Sequence, residues 1–331
     1  MAHLTDDDRS RGQIILVTGF ALAVSFVALA LVLNSVIYTE NLATRSESAK
    51  ASDAVTAKSD MVEATEAIIK YVNDHNASGA SSYDPLREQV QLGVNNTTQY
   101  ARRFRVVSGQ AVNATLVATD EGTWINQSHT ERNFTDAQGN TTWTLVNDTT
   151  GVRRFSMNLT DLSKLADKSD STEQNFTVAV RNQSASPKTW TLAVFHDDTK
   201  GTYNVSVATG GTYQSHCNVT ASSVTHFWVN VTQGTVNGTS CRPLRFAAGM
   251  GSTYDVSYLH SDNVFGTYQL LVNKTIGDVR STDDTTYNAT GALKPPITDR
   301  AIYGAKLLVA YQSQHVEYQT DAQVHPGEND D

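Results

Sequence analysis

The chain has 331 residues, a formal net charge of -9 and a pI of about 5.4. That acidic balance excludes a general nucleic-acid binder, because phosphate contacts need a surplus of Lys and Arg on one face. The length is ample for a sizeable buried core. Only two cysteines, Cys217 and Cys241, are present.

Residues 1–12 are short and polar and read as a leader. Residues 14–37, IILVTGFALAVSFVALALVLNSVI, follow without a charged side chain between Arg11 and Glu40. At 1.5 Å per residue this run is expected to cross a hydrocarbon core of roughly 30 Å as a helix, assigned to 13–38. Gly19 and several Ala and Ser residues would let another helix approach closely. Residues 39–78 lack Pro and Gly, are rich in Ala, Glu, Lys and Ser, and repeat apolar residues near helical spacing. They predict a helical stalk with one face in need of a surface to pack on.

After Gly79 the texture changes. A short helix is expected near 85–91. Strand-like runs then recur between Gly, Asn and Asp turns, among them 100–107, 112–119, 141–146, 152–159, 176–181, 188–195, 202–208, 224–231, 244–248, 254–259 and 266–272. Residues 300–312 and 314–324 read as a closing hairpin before the polar tail 326–331. The expected fold class is α+β: a long N-terminal transmembrane-plus-amphipathic α-helix followed by a mainly antiparallel β-sandwich head over 79–325. The head is one or two sandwiches, with a possible boundary at 161–173.

Seventeen of the 22 asparagines begin Asn-x-Ser/Thr: Asn76, Asn95, Asn96, Asn113, Asn126, Asn133, Asn140, Asn147, Asn158, Asn175, Asn182, Asn204, Asn218, Asn230, Asn237, Asn273 and Asn288. That is a several-fold excess over what the Ser and Thr content alone would place, and all lie beyond residue 75. It marks a glycosylated surface, the alternative being a Thr- and Asn-rich β surface. The flanking cations, Arg9 and Arg11 against Arg45 and Lys50, decide orientation poorly. The sequons therefore predict a single-pass cell-membrane protein, N-terminus cytosolic and C-terminal head extracellular. In such a compartment Cys217 and Cys241 would pair rather than remain two free thiols, closing a loop worth about 3 kcal/mol in the chain-entropy model.

Chemistry-bearing motifs are few. No phosphate-cradling Gly-rich loop, nucleophile elbow or His-Glu-x-x-His occurs. Gly249-Met250-Gly251-Ser252 reads as a turn. His216, Cys217 and His226 match no zinc spacing. Asp6-Asp7-Asp8, Asp197-Asp198 and Asp283-Asp284 lack the spaced oxygens of a calcium loop and read as solvated turns. Trp124, Trp143, Trp190 and Trp228 fit sandwich core packing. No catalytic residues, metal or cofactor are expected, and the chain reads as a non-enzyme.

Arg11-Gly12-Gln13 before an uninterrupted apolar run resembles the class III signal peptides of archaeal type IV pilin-like secreted proteins. The resemblance implies cleavage between Gly12 and Gln13 by a prepilin peptidase. It also implies a minor pilin or pseudopilin type of subunit in an archaeal, haloarchaeal-like, type IV pilus-like assembly. The implied partners are membrane lipid and identical or related pilin-like subunits, with no nucleic acid. Position five after the cut is Val17, where many bacterial pilins carry glutamate. The competing expectation is a singly anchored surface glycoprotein acting as an adhesion or ligand-binding module. A β-sandwich hydrolase has no supporting residues.

Overall fold

The computed structural model describes the backbone of residues 6–75, 79–167, 174–184, 186–251, 253–280, 285–288 and 294–327, and the side chains among them except at 6–17, 35–51 and 212–215. The first element, α1 (Asp6–His75), is a helix of 70 residues, roughly 105 Å long at the standard rise. No proline precedes Pro85, so nothing removes a backbone donor along it.

The expected membrane-spanning segment at 13–38 is corrected: among the described residues, no helix is long and apolar enough to cross a membrane. The single-pass membrane localisation, with a cytosolic N-terminus and an extracellular head, is overturned by the same finding. The α+β description with a transmembrane helix gives way to a mainly antiparallel β fold, with 14 strands in two sheets among the described residues.

The second half of α1 buries one stripe, Ala54, Ala57, Met61, Thr65, Ile69 and Val72, at spacings of three and four residues. The next helix, α2 (Asp84–Arg105), has Pro85 in its first turn and buries Leu86, Val90, Val94 and Thr98 at every fourth residue. It therefore absorbs 100–105 of the stretch 100–107 that reads as a strand, and a 3-10 turn over Val106–Ser108 takes the rest: the four-residue period running in from Leu86 outweighs the local Tyr, Phe and Val content. The two helices meet closely at Gly93, where a Cβ would lie 2.6 Å from Ile68 Cγ2.

The strands are β1 (Ala111–Gln127), β2 (Trp143–Thr149), β3 (Val152–Leu159), β4 (Phe176–Asn182), β5 (Thr189–Asp197), β6 (Thr202–Thr209), β7 (Thr212–Thr220), β8 (Phe227–Asn230), β9 (Thr235–Val236), β10 (Thr239–Ser240), β11 (Tyr254–Leu259), β12 (Gly266–Val272), β13 (Ile297–Gln312) and β14 (Glu317–Val324). A one-turn helix, α3 (Ile276–Val279), follows β12. An eight-stranded sheet has the order β10-β9-β8-β3-β12-β1-β13-β14, and a six-stranded sheet the order β2-β11-β4-β5-β6-β7. The expected strand at 244–248 is instead a run of turns. Ala247 there has φ 51, a left-handed rather than an extended conformation.

Side chains from both sheets meet in one core, including Phe155, Met157, Phe176, Trp190, Val205, Phe227, Tyr258 and Tyr268. Leu162 and Leu165 belong to it too, while 168–173 of the stretch 161–173 lie outside the described residues. A second core lies on the other face of the eight-stranded sheet. There the buried stripes of α1 and α2 cover Val112, Ala114, Leu307, Val309, Tyr311, Ala322 and Val324.

The long ribbon of β1 and β13 serves both cores, with register breaks between Leu116 and Ala118 and between Asp120 and Glu121. At the second break Asn73 of α1 docks on the backbone of Ile302. Its Nδ2 donates to the carbonyl at 2.8 Å and its Oδ1 accepts from the N–H at 2.9 Å. Two satisfied backbone groups at an irregular ladder position contribute about 1 kcal/mol each. Ile69 is fully buried in the same contact. Ile69→Ala is expected to cost about 2–5 kcal/mol, read as a lower urea midpoint. An unchanged midpoint would mean that α1 does not rest on the sheet.

Candidate assembly surface

Docking α1 through residues 54–73 leaves its earlier part uncovered. Every described side chain from 18 to 34 is exposed. Phe20, Leu22, Val24, Phe26, Val27, Leu29, Leu31, Val32 and Leu33 are all more than half exposed. At 100° per residue they surround the helix rather than forming a stripe. Within this stretch Ser25 Oγ donates to the Ala21 carbonyl of its own helix at 2.8 Å. That leaves the Ser25 hydroxyl compatible with a dry interface. Gly19, where an added Cβ would meet nothing within 4 Å, leaves a shallow spot beside Phe20.

A second apolar patch sits at the end of α2. Tyr100, Phe104, Val106 and Val107 point outward, Phe104 78% and Val107 88% exposed. Polar ties hold this end against α1: Arg105 Nη2 meets Asp60 Oδ2 at 2.7 Å and Gln110 Nε2 donates to Asp53 Oδ2 at 3.1 Å. Val55, also exposed, lies on that same part of α1. Contiguous apolar surface of this kind marks an interaction site rather than ordinary surface.

Where α1 leaves the sheet, Arg154 of β3 bridges them. Its Nη1 lies 3.1 Å from Asp74 Oδ1 and its guanidinium stacks on Trp124 at 4.8 Å. Lys70 holds the other Asp74 oxygen at 2.8 Å. Burial pushes the Asp74 carboxyl up, but the hydrogen bonds and charges of Lys70 and Arg154 outweigh it and hold the group below its ordinary value. A cleft of about 490 Å³ opens beside this bridge, lined by Glu63, Glu66, Ser156, Gln233 and Gln269 among others.

The remaining sequence candidates are dispersed. Gly12 and Gln13 lie within α1, with their side chains outside the described set. Asn76 and Asp283-Asp284 lie outside the described residues. Cys217 of β7 and Cys241 form a disulfide with Cα atoms 5.9 Å apart, tying the edge of the six-stranded sheet to the turn after β10. The Cys217 sulfur is therefore committed, leaving His216 and His226 as two exposed imidazoles. Trp143 and Trp190 are core residues, whereas Trp228 is 53% exposed on β8 and departs from the expected packing.

Among the sequons, Asn95, Asn96, Asn113, Asn140, Asn147 and Asn218 are exposed, while Asn126, Asn133, Asn158, Asn182, Asn230, Asn237, Asn273 and Asn288 are half-buried. Asn175 and Asn204 are buried. The sequence missed the α2 patch because its aromatic and branched residues read as a strand. The signal that identifies it is their position off the Leu86–Thr98 stripe.

Comparison with known proteins adds one finding. A model described as a family of unknown function (DUF7261) matches residues 8–143, which take in α1, α2 and β1. No curated protein and no solved structure matches the chain.

Two outcomes follow from this geometry. The depressed folded value of Asp74 means that its stabilisation is present above the unfolded carboxylate range near ~3.9 and is lost as pH falls through the lower folded value. Asp74→Asn should lower the denaturation midpoint at pH 7, with the gap to wild type closing in acid; a gap independent of pH would remove the ion pair from the account. Peptide mapping of the native protein should find Asn175 and Asn204 unmodified, because an enzyme cannot reach a buried amide in the folded chain. A glycan on either would contradict this placement.

Proposed function

We propose that the chain is a non-enzymatic assembly subunit of the pilin-like kind, a minor pilin or pseudopilin type in an archaeal type IV pilus-like structure. The observation that carries this reading is the all-round exposed apolar stretch of α1, presented on a helix whose other half is fixed to a β head. In water such a surface must be covered. A second copy of the same helix would cover it with matching chemistry, because Gly19 and the interspersed Ala residues allow close approach. The resemblance of Arg11-Gly12-Gln13 to a class III leader supports the same reading, with Gln13 as the first residue after cleavage. The apolar patch at the end of α2 lies beside the docked half of α1 and would meet the next subunit's head. Glycans on the exposed asparagines would keep the remaining surface hydrophilic, which suits a subunit that touches neighbours only along its helix side.

The described cysteines leave no free thiol, so a cysteine placed on α1 reports contacts cleanly. Ser25→Cys should yield covalent dimers and higher species with a short bis-maleimide at native concentration. Adding Leu22→Glu and Phe26→Glu should return the protein to monomer. Intact-mass measurement of the native protein should place its first residue at Gln13. Monomer alone after cross-linking, together with an uncut leader, would overturn the proposal.

A further inference from the structure

A cluster far from α1 has the composition of a metal centre. Asp167 follows the turn at Leu162–Lys164, and a parallel bridge lays it beside His196 at the end of β5. The Ala166 carbonyl accepts the His196 N–H at 2.9 Å, which anchors the loop. Asp198 begins the turn into β6. Its backbone N–H donates to Asp167 Oδ2 at 2.8 Å, and its Oδ1 lies 2.6 Å from His196 Nδ1. One ligating atom from each of Asp167, His196 and Asp198 falls within 4.8 Å of the others.

The supports around these donors are independent of one another. The His196 ring lies against Tyr203, centroids 4.9 Å apart, and that contact limits rotation of the imidazole. The turn carrying Asp198 is closed by Lys200 N–H, which donates to the Asp197 carbonyl at 3.1 Å and to Asp197 Oδ1 at 3.2 Å. Asp167 and His196 are half-buried while the Asp198 side chain is 71% exposed. The site thus has two half-buried donors and one exposed donor, and is open to water on the side of Asp198.

We propose that Asp167, His196 and Asp198 bind a divalent transition-metal ion of the zinc or manganese type. One imidazole and two carboxylates form a borderline donor set, too nitrogen-rich for a calcium site and lacking the thiolates of a soft one. Bonds of about 2.0–2.2 Å to Zn²⁺ require donors within about 4.2 Å of each other. Binding draws the three donors within that reach and opens the contact between Asp198 and Nδ1. Binding replaces the repulsion of two carboxylates by a shared cation and completes the remaining positions with water. The ion then pins the 161–167 loop to the β5–β6 turn, so its role is structural.

The test uses the purified full chain, stripped with a chelator and titrated calorimetrically with zinc chloride, manganese chloride and calcium chloride in turn. A single saturable zinc site of unit stoichiometry and a raised thermal midpoint are expected. Asp198→Asn and His196→Gln should each weaken zinc binding about tenfold or more. His216→Ala with His226→Ala should bind as wild type. Absence of a saturable site, saturation by calcium alone, or undiminished zinc binding by both ligand variants would overturn the assignment.

Discussion

The contact between residues 54–73 of α1 and the outer face of β13 and β14 determines how the rest of the molecule is used. It combines a continuous apolar stripe with two directional bonds at Asn73. The stripe alone would permit sliding by a helical turn, since Ala54, Ala57 and Met61 repeat at equivalent spacing. Asn73 removes that freedom, because the free backbone groups of Ile302 occur where the β1–β13 ladder is irregular. Axial position and rotation of α1 are thereby fixed together. The projection of its apolar half away from the head follows from this.

The β1–β13 ribbon carries the constraint across the molecule. At one end its side chains sit under the helices, and at the other Ile125 enters the core between the sheets. Its register breaks turn the strands so that a single ribbon can face both. Gly122 is required near one break: a Cβ there would lie 2.9 Å from Tyr303 Cβ, with the Val272 carbonyl at 3.0 Å. Tyr303 in turn stacks under Arg153 at 4.0 Å and gives its carbonyl to the Arg153 Nη1 at 2.8 Å. A buried guanidinium is tolerated here because the aromatic face and the carbonyl replace part of its hydration.

Local periodicity made part of this architecture legible. The closing β13–β14 hairpin follows from spacing, as do Met61, Ile69 and Val72 of the α1 stripe, although the same spacing counts Val55, which is exposed. Spacing failed where two readings competed over a few residues, as at 100–107, and where a run was apolar all round. The length of 14–37 implied a lipid environment, but hydrophobicity does not distinguish lipid from another helix as its cover. The Asp167–His196–Asp198 cluster was invisible for a different reason. Asp197-Asp198 reads as a solvated turn until a loop some thirty residues earlier is folded alongside it, and no local pattern encodes that bridge.

The sequons show how a sequence statistic can have a structural cause. In a strand, residues i and i+2 share a face, so Asn and the Ser or Thr of Asn-x-Ser/Thr are exposed or buried together. Asn204 and Ser206 of β6 are both buried, whereas Asn113 and Thr115 of β1 and Asn218 and Thr220 of β7 are exposed. Several others, Asn126, Asn147, Asn158, Asn182 and Asn230, also begin within strands. A fold that places small polar residues on alternate strand positions generates the motif at high frequency without any enzyme to read it. Strand periodicity accounts for part of the sequons only, since Asn95 and Asn96 lie on α2 and Asn133, Asn140, Asn175, Asn237 and Asn273 lie outside the strands. Only the exposed faces, chiefly on α2, the start of β1, the approach to β2 and the edge strand β7, carry information about modification.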